Sequence, residues 1–331
     1  MQRALVYKIV LLLLPAAVIL GILEFHLYSM NTSYFTKRIA LENQLSEIEI
    51  LTLGSSNAYY GINPDRFERK GYNLANLAQS MYYDQALAMK YMPRMPNLKI
   101  IILPAIFYTM GTELGPTSSQ DFRMYFYSQY YGLRLEPSAE QLMHWGYLFD
   151  AKNFSKIALF GDNVYRYVLD RFNTKVDNEP QPSGWFDGGR EFGSLKANVG
   201  PDAAKAHSMT QSNLYTKNLE YWKKIIVATK ARGIMPIIIE MPTHGSYREN
   251  LNPDLYALFK KSLGDFAEKH QIEFHDYSDD PRFALEDFTY MVDHLNAIGA
   301  SKFSTILNSD IVKPTFKRFD SLESSSFFSQ K

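Results

Sequence analysis

Short apolar runs alternate with helix-like stretches along most of the chain. Five runs have the length and composition of buried strands, at residues 49–53, 72–75, 98–103, 234–240 and 272–277. Apolar residues recur at helical spacing in four intervals, at 82–91, 214–231, 252–269 and 296–307. Because strands that alternate with helices in this way pair in parallel through right-handed crossovers, the pattern predicts an α/β fold.

Two regions depart from this alternation. Residues 111–212 are rich in aromatic side chains, have helical spacing at 137–150 and 153–170, and carry loop signals over 179–201. We interpret them as an insertion over the active edge of the sheet. Residues 313–331 end in a serine-rich stretch that we expect to be a disordered tail. The sheet-containing domain is therefore predicted over residues 49–312.

The amino-terminal residues 1–29 predict a membrane anchor. Arg3 and Lys8 precede an uncharged apolar run at 9–23, and snorkelling of Lys8 and Glu24 extends the span toward the roughly 20 residues that a bilayer requires. Basic residues at this end place it in the cytoplasm, so we expect a single-pass inner-membrane protein with a linker at 30–48 and a periplasmic domain. A cleaved signal peptide is the competing interpretation, although no clear cleavage site follows the apolar run.

Composition narrows the functional classes. Lys+Arg and Asp+Glu each number 35, so no global field attracts nucleic acid or an anionic surface. The chain has no cysteine, which removes disulfides, thiolate catalysis and Cys-ligated zinc. There is no HExxH motif, no acidic calcium loop and no glycine-rich loop with dinucleotide or P-loop spacing, so we expect neither a metal nor a cofactor.

The first predicted strand ends in a segment with candidate chemistry, ILTLGSSNAYYGINP at 50–64. Gly54 permits a sharp turn, which would place Ser56 at the carboxyl edge of the sheet with its own N–H at a helix start. A serine hydroxyl needs a base, and His294 follows the last strand toward the same edge. The alternative is that Ser55, Ser56 or Asn57 merely caps a helix, and that His294 caps or packs against the helix that begins at Asn296.

Two short segments together carry a family resemblance. The residues GSS at 54–56 and DHLN at 293–296, with Gly299, resemble the first and last sequence blocks of the SGNH (GDSL-like) hydrolase superfamily, in its membrane-anchored extracytoplasmic branch. The resemblance implies a three-layer flavodoxin-like fold with a five-stranded parallel sheet. It also implies that Ser56 is the nucleophile and His294 the general base.

The orienting acid departs from the family pattern. The family usually places an aspartate three residues before the histidine, where this chain has Met291, and a thioether cannot orient an imidazole. Asp293 is the adjacent candidate, although neighbouring side chains on an extended segment diverge. Asp287 or Glu286 are alternatives from the same loop. Because loss of the acid costs on the order of 10⁴ in turnover, a dyad and an inactive protein both stay open.

The oxyanion hole departs as well. In the family, the N–H of the serine is joined by a glycine N–H from the second block and an asparagine from the third. Here Ala78 stands at the glycine position, and no asparagine follows the strand at 98–103. The resemblance therefore leaves the remaining donor to Tyr108, Asn57 or Asn76.

The resemblance implies a serine esterase or O-acyltransferase acting on acyl esters of an envelope polysaccharide or glycolipid, with a membrane-bound O-acyltransferase as a candidate partner. Two alternatives stay open: a catalytically degenerate binding or partner module of a polysaccharide O-acylation complex, and a secreted lipase. The aromatic run at 123–132 is either a stacking surface for sugar rings or buried packing.

Overall fold

The structure, a computed structural model, describes residues 2–28, 32–114, 122–133, 150–161, 180–188, 199–208 and 212–328. The chain divides into two compact units. One combines Met1–Arg38 with Gly115–Glu179, and the other combines Ile39–Leu114 with Pro180–Lys331. This division differs from the expected insertion at 111–212, since residues 180–212 belong to the unit that holds the sheet. Most of the helical spacing predicted at 137–150 and 153–170 lies outside the described residues.

Five parallel strands form one sheet: β1 (Ile50–Thr52), β2 (Gly71–Asn73), β3 (Ile100–Ala105), β4 (Met235–Glu240) and β5 (Glu273–Asp276). Their order is β2-β1-β3-β4-β5. The predicted five-stranded, flavodoxin-like sheet is thereby confirmed. The chain adds β2 on one side of β1 and then adds β3, β4 and β5 in turn on the other side. Ligands of such folds bind between the carboxyl ends of β1 and β3, where the strand order changes direction.

The described α-helices, in chain order, are α1 (Gln2–Tyr28), α2 (Ser33–Glu42), α3 (Ser56–Gly61), α4 (Met81–Tyr91), α5 (Phe107–Met110), α6 (Phe122–Phe126), α7 (Lys156–Phe160), α8 (Val199–His207), α9 (Leu214–Lys230), α10 (Gly245–Arg248), α11 (Pro253–His270), α12 (Ala297–Leu307) and α13 (Lys313–Phe328). The four helices predicted in the sheet domain are α4, α9, α11 and α12, and their ends agree with the prediction to within one residue.

The core explains why the strands read as continuous apolar runs. Every residue of β3 is buried, as expected for a strand that is covered on both faces. Ile100 and Ile102 pack in one cluster with residues of α3 and α12, such as Ala58 and Phe303. Alternate strand residues such as Ile101 point to the opposite face, where α9 packs on β4. The sheet is thus the middle of three layers.

The carboxyl-terminal segment corrects one expectation. The sequence predicts a disordered tail over 313–331, whereas the structure has α13 there, helical as far as Phe328. Phe316 is buried, and the guanidinium of Arg69 lies 4.7 Å from the centre of its ring. Arg318 also pairs with Glu273 of β5 at 2.7 Å. These contacts hold the first half of the helix against the sheet unit.

The other unit contains the candidate anchor and an aromatic cluster. Arg3–Tyr28 is the one helix among the described residues that is long and apolar enough to cross a membrane, and a signal sequence meets the same criteria. In the aromatic run, Tyr127 and Tyr130 are buried, and the ring of Phe126 stacks on that of Tyr34 at 5.0 Å. The described part of the run therefore forms packing rather than an exposed stacking surface for sugars.

Candidate active site

Ser56 lies where β1 turns into α3. Gly54 has a φ of +114°, and a Cβ at this position would meet the Cβ of Ala58 at 3.3 Å. Only glycine adopts this conformation readily, so the turn depends on it. Ser56 is the first residue of α3, where a helix N–H has no partner within the helix. The structure therefore places this serine as the sequence predicts.

Two buried polar side chains hold the turn in place. The carboxylate of Asp84 accepts the N–H of Gly54 at 2.9 Å and the side-chain amide of Gln79 at 2.7 Å. Burial raises the pKa of Asp84 to about 6, against the lowering effect of these hydrogen bonds. The amide of Asn73 donates to the carbonyl of Ala58 at 2.7 Å, which fixes α3 beside β2. The backbone around the nucleophile is therefore held by several independent contacts.

His294 lies between a hydroxyl and a carboxylate. Its Nε2 is 2.8 Å from Oγ of Ser56, and its Nδ1 is 2.8 Å from Oδ1 of Asp293. Both members of the Asp293-His294 pair are buried, with 1% and 7% of their surfaces exposed. An ionised carboxylate only accepts hydrogen bonds, so it favours the tautomer with the proton on Nδ1 and leaves Nε2 to accept the proton of the serine.

Asp293 reaches the ring because its backbone is not extended. Val292 has a φ of +54°, its N–H donates to the carbonyl of Thr289, and the N–H of Thr289 donates to the carbonyl of His294. Side chains of adjacent residues diverge on a strand, but this segment is a turn. The expectation that the two side chains point apart is therefore wrong at this position.

The alternative acids from the same loop have other roles. Asp287 is buried and accepts a hydrogen bond from Nζ of Lys302 at 2.7 Å. Glu286 is exposed to solvent. Asp293 is thus the carboxylate that contacts the imidazole, and Met291 does not leave the histidine without an acid.

The rest of the last sequence block shapes the loop. Oδ1 of Asn296 accepts the N–H groups of Ile298 and Gly299, both at 3.0 Å, and so caps α12. Its amide donates to the carbonyl of Phe288 at 3.0 Å. A Cβ on Gly299 would lie 2.1 Å from the carbonyl oxygen of Asp287. Asn296 and Gly299 therefore hold the segment that carries the histidine.

The second block lies beside the nucleophile turn. The N–H of Asn76 donates to the carbonyl of Gly54 at 3.2 Å, and its side-chain oxygen accepts the N–H of Leu77 at 2.8 Å. Ala78 has a φ of +53°, in the left-handed region that costs an alanine roughly 1–2 kcal/mol. This conformation is the physical reason why a glycine is expected at that position. The side-chain oxygen of Asn76 structures the loop.

Tyr108 and Asn57 contact both ends of the site. The hydroxyl of Tyr108, which follows β3, is 3.2 Å from Oγ of Ser56 and donates to Oδ1 of Asn57 at 3.0 Å. The amide of Asn57 donates to the backbone carbonyl of Asp293 at 2.6 Å. Burial raises the pKa of Tyr108, and the charge of Asp293 adds to this effect, so the phenol keeps its proton. Asn57 therefore anchors the acid segment, while the hydroxyl of Tyr108 lies between Oδ1 of Asn57 and Oγ of Ser56.

His207 is part of this cluster, although no sequence motif points to it. Its Nδ1 is 2.8 Å from the hydroxyl of Tyr247, and its ring stacks on Tyr108 with the centres 4.2 Å apart. It is the last residue of α8, whose first residues fall within the stretch 179–201 that carries loop signals in the sequence. An acidic residue in the first turn and basic residues in the last were the available helix signal.

An open cleft of about 850 Å³ lies beside α12, the helix that begins directly after the segment carrying His294. Arg66, Trp185 and Lys302 are among its lining residues. The indole N–H of Trp185 donates to the carbonyl of Tyr60 at 2.8 Å, and the ring of Tyr60 meets that of His294 edge-on, with the centres 6.0 Å apart. One wall of the cleft is thus connected to the catalytic histidine candidate through Tyr60.

The described residues place an imidazole and a phenol hydroxyl within 3.2 Å of Oγ of Ser56, with a carboxylate on the far nitrogen of the imidazole. That is the set of groups which acyl transfer through a covalent serine intermediate requires. No group of three or more histidine, aspartate or glutamate residues in the described part of the chain is placed to hold a metal ion.

Two solved structures are similar to this chain. They are a candidate acylhydrolase from Bacteroides fragilis and a GDSL-like lipase from Bacteroides thetaiotaomicron, each with a TM-score of 0.40 and 11% sequence identity. Each comparison covers 86% of this chain and 100% of the other. No protein-family model and no curated protein matches the chain. The five-stranded parallel sheet and the position of Ser56 after β1 are those that the resemblance to the SGNH (GDSL-like) superfamily implied.

Proposed function

We propose that this protein is a membrane-anchored, extracytoplasmic serine esterase or O-acyltransferase of the SGNH type. The observation that carries the proposal is the continuous chain of contacts from Asp293 through His294 to Ser56, with both distances at 2.8 Å. A serine hydroxyl becomes a nucleophile only beside a base, and the base is effective only in the correct tautomer. This arrangement supports both conditions.

In the proposed reaction, Oγ of Ser56 attacks the acyl carbonyl while Nε2 of His294 takes the hydroxyl proton. Asp293 stabilises the imidazolium that forms. The N–H groups of Ser56 and Ala78 donate to the oxyanion, and the hydroxyl of Tyr108 joins them by turning its single proton from Oδ1 of Asn57 toward the oxyanion. Collapse of the tetrahedral intermediate breaks the ester bond, and the leaving oxygen takes the proton from His294. The acyl group then passes from Oγ to water or to a sugar hydroxyl, with His294 again acting first as base and then as acid.

The substrate we propose is an acyl ester of an envelope polysaccharide or glycolipid. Helix α1 supports a location at the membrane, because Arg3–Tyr28 is long and apolar enough to span it. The open cleft beside α12 supports a substrate larger than the acyl group, and Arg66 and Lys302 at its edge suit polar groups. A membrane-bound O-acyltransferase is the proposed partner on the strength of the family resemblance.

The test is labelling of the full-length chain in detergent with a fluorophosphonate, which reacts with activated serine hydroxyls. We expect stoichiometric labelling of the wild type and loss of labelling in Ser56→Ala, because the nucleophile is removed. The matched control is Ser309→Ala, at an exposed serine that follows α12. This control should still label.

Two outcomes would overturn the proposal. One is a folded wild-type protein that does not label, which would support a degenerate binding or partner module instead. The other is labelling that Ser56→Ala leaves unchanged. Thermal melting of each variant shows whether the protein is folded in the experiment.

A further inference from the structure

One oxygen of the buried carboxylate in the site has no hydrogen bond. Oδ1 of Asp293 contacts His294, but Oδ2 is buried and has no partner in the described part of the chain. Buried charged acceptors in native proteins are nearly always satisfied, so an exception at a candidate active site calls for an explanation.

His207 is placed to supply the missing hydrogen bond. Its Nδ1 lies 3.8 Å from Oδ2 of Asp293, and a movement of under about 1 Å would bring the two atoms into the usual range for N–H···O bonds. The helix that carries the ring is tightly seated, because a Cβ on Gly200 of α8 would lie 2.6 Å from the carbonyl oxygen of Ser246 in α10. Tyr247 of α10 then contacts the same nitrogen at 2.8 Å.

The charges around the ring favour a proton on Nδ1. A bare nitrogen lone pair there would face the carboxylate of Asp293, whereas an N–H directs a positive dipole toward it. Burial raises the pKa of Tyr247 strongly, so its hydroxyl stays protonated and accepts one branch of a single Nδ1–H whose other branch points to Oδ2 of Asp293. Burial also lowers the pKa of His207, with Asp293 opposing this shift and His294 adding to it, so the second histidine is neutral near pH 7.

We infer that His207 is a positioning residue of the acyl-transfer site, acting through its Nδ1–H on the free oxygen of Asp293. The second hydrogen bond holds the carboxylate in the plane that orients His294 when charge develops on the imidazole. The same ring packs on Tyr108 and keeps that hydroxyl beside Ser56. This inference rests on the proposed function, since it assigns a role within the same reaction.

Two substitutions separate the hydrogen bond from the stacking. In His207→Asn the amide nitrogen takes roughly the place of Nδ1, so the donor is kept and the ring is lost. In His207→Phe the ring is kept and the donor is lost. The matched control is Lys205→Ala, an exposed change on the same helix. All variants are compared as full-length chains in detergent by the second-order rate of fluorophosphonate labelling.

We expect labelling of His207→Phe to slow by roughly tenfold to hundredfold, in line with the loss of a hydrogen bond to a buried charge. His207→Asn should recover most of the rate, and the control should match the wild type.

Equal rates for His207→Phe and the wild type would overturn the inference, and so would rescue by phenylalanine but not by asparagine. Either result leaves Ser56-dependent labelling in place, so it is distinct from failure of the proposed function, in which the wild type itself does not label. If the phenylalanine variant melts at a lower temperature, nitrogen NMR of the wild-type histidines decides: a bare Nδ1 on His207 at neutral pH would contradict the assignment.

Discussion

Two regions of the molecule bury ionisable side chains, and they satisfy them in different ways. In the sheet unit, Asp293 and His294 form hydrogen bonds that lead to the hydroxyl of Ser56. In the other unit, Lys156 is fully buried, and its Nζ has no hydrogen bond in the described part of the chain. Its nearest described cation–π contact is the face of Tyr130, with Nζ 3.3 Å from the ring centre.

The difference shows how a reactive site is distinguished from packing around a charge. The carboxylate of Glu24 lies near Lys156, and it accepts hydrogen bonds from the hydroxyl of Ser155 and the N–H of Ile157 at the start of α7. The ammonium is left to the aromatic ring, an interaction that stabilises a cation without directing its proton. Burial lowers the pKa of Lys156 to about 7, against the opposing charge of Glu24. Directed hydrogen bonds toward one atom, rather than a shifted pKa, are what mark the candidate active site.

The largest expected effect is on turnover and comes from changing Asp293, the acid of the hydrogen-bonded pair in the sheet unit. Asp293→Asn keeps the size of the side chain but lets its amide donate to Nδ1, which favours the wrong tautomer of His294. Turnover of an activated ester should fall by on the order of 10⁴, with the protein still folded. The control is Glu286→Gln, an exposed acid of the same loop, which should match the wild type. A fall of less than tenfold in Asp293→Asn would show that this carboxylate does not orient the base.

A smaller effect sharpens the role of the hydroxyl beside the nucleophile. Tyr108→Phe removes the hydroxyl 3.2 Å from Oγ of Ser56 and keeps the ring that stacks on His207. We expect kcat to fall by roughly tenfold to hundredfold, as for other hydrogen bonds to a developing charge. KM should change little, because the bond strengthens only in the transition state. Tyr290→Phe, at an exposed tyrosine, is the control, and an unchanged kcat in Tyr108→Phe would remove the hydroxyl from the mechanism.

The smallest effect concerns Lys156, which packs on the ring of Tyr130, and it is seen in the free energy of unfolding alone. The pKa of Lys156 is about 7 in the folded chain, compared with 10.5 for an unperturbed lysine such as that of the unfolded chain. Between these two pH values the unfolded chain binds more protons than the folded chain, so the free energy of unfolding rises with pH. Lys156→Met should reduce that slope and leave fluorophosphonate labelling unchanged. Lys152→Met, at an exposed lysine, should keep the slope. Denaturant titrations of the full chain between pH 7 and about 10.5 measure it. If both variants keep the wild-type slope, the titrating group is not Lys156.

Much of the sheet unit follows from local sequence. Apolar runs predict the strands to within two residues at each end, because a strand covered on both faces has to be apolar throughout. Gly54 before two serines predicts the sharp turn, since a positive φ at that point favours glycine. The nucleophile position and the later helices are therefore predictable without coordinates.

The acid and the second histidine were not predictable in the same way. The contact of Asp293 with His294 depends on a turn in which Val292 has a positive φ. Glycine and asparagine are the residues that usually indicate such a turn, and position 292 is a valine. His207 lies in a stretch whose Gly200 and Pro201 are residue types typical of loops. In the structure, Gly200 instead permits close contact between α8 and α10. Neither side chain is near Ser56 along the chain.

The amino-acid sequence by itself determined the strands, the principal helices and the serine at the end of the first strand, because each depends on residues that are neighbours in the chain. The tertiary structure alone decided which carboxylate meets His294, that Asn57 anchors Asp293, and that a second histidine faces the free oxygen of that acid. These contacts join residues up to 236 positions apart. Directional hydrogen bonds require positions accurate to a few tenths of an ångström, and only the packed fold defines such positions.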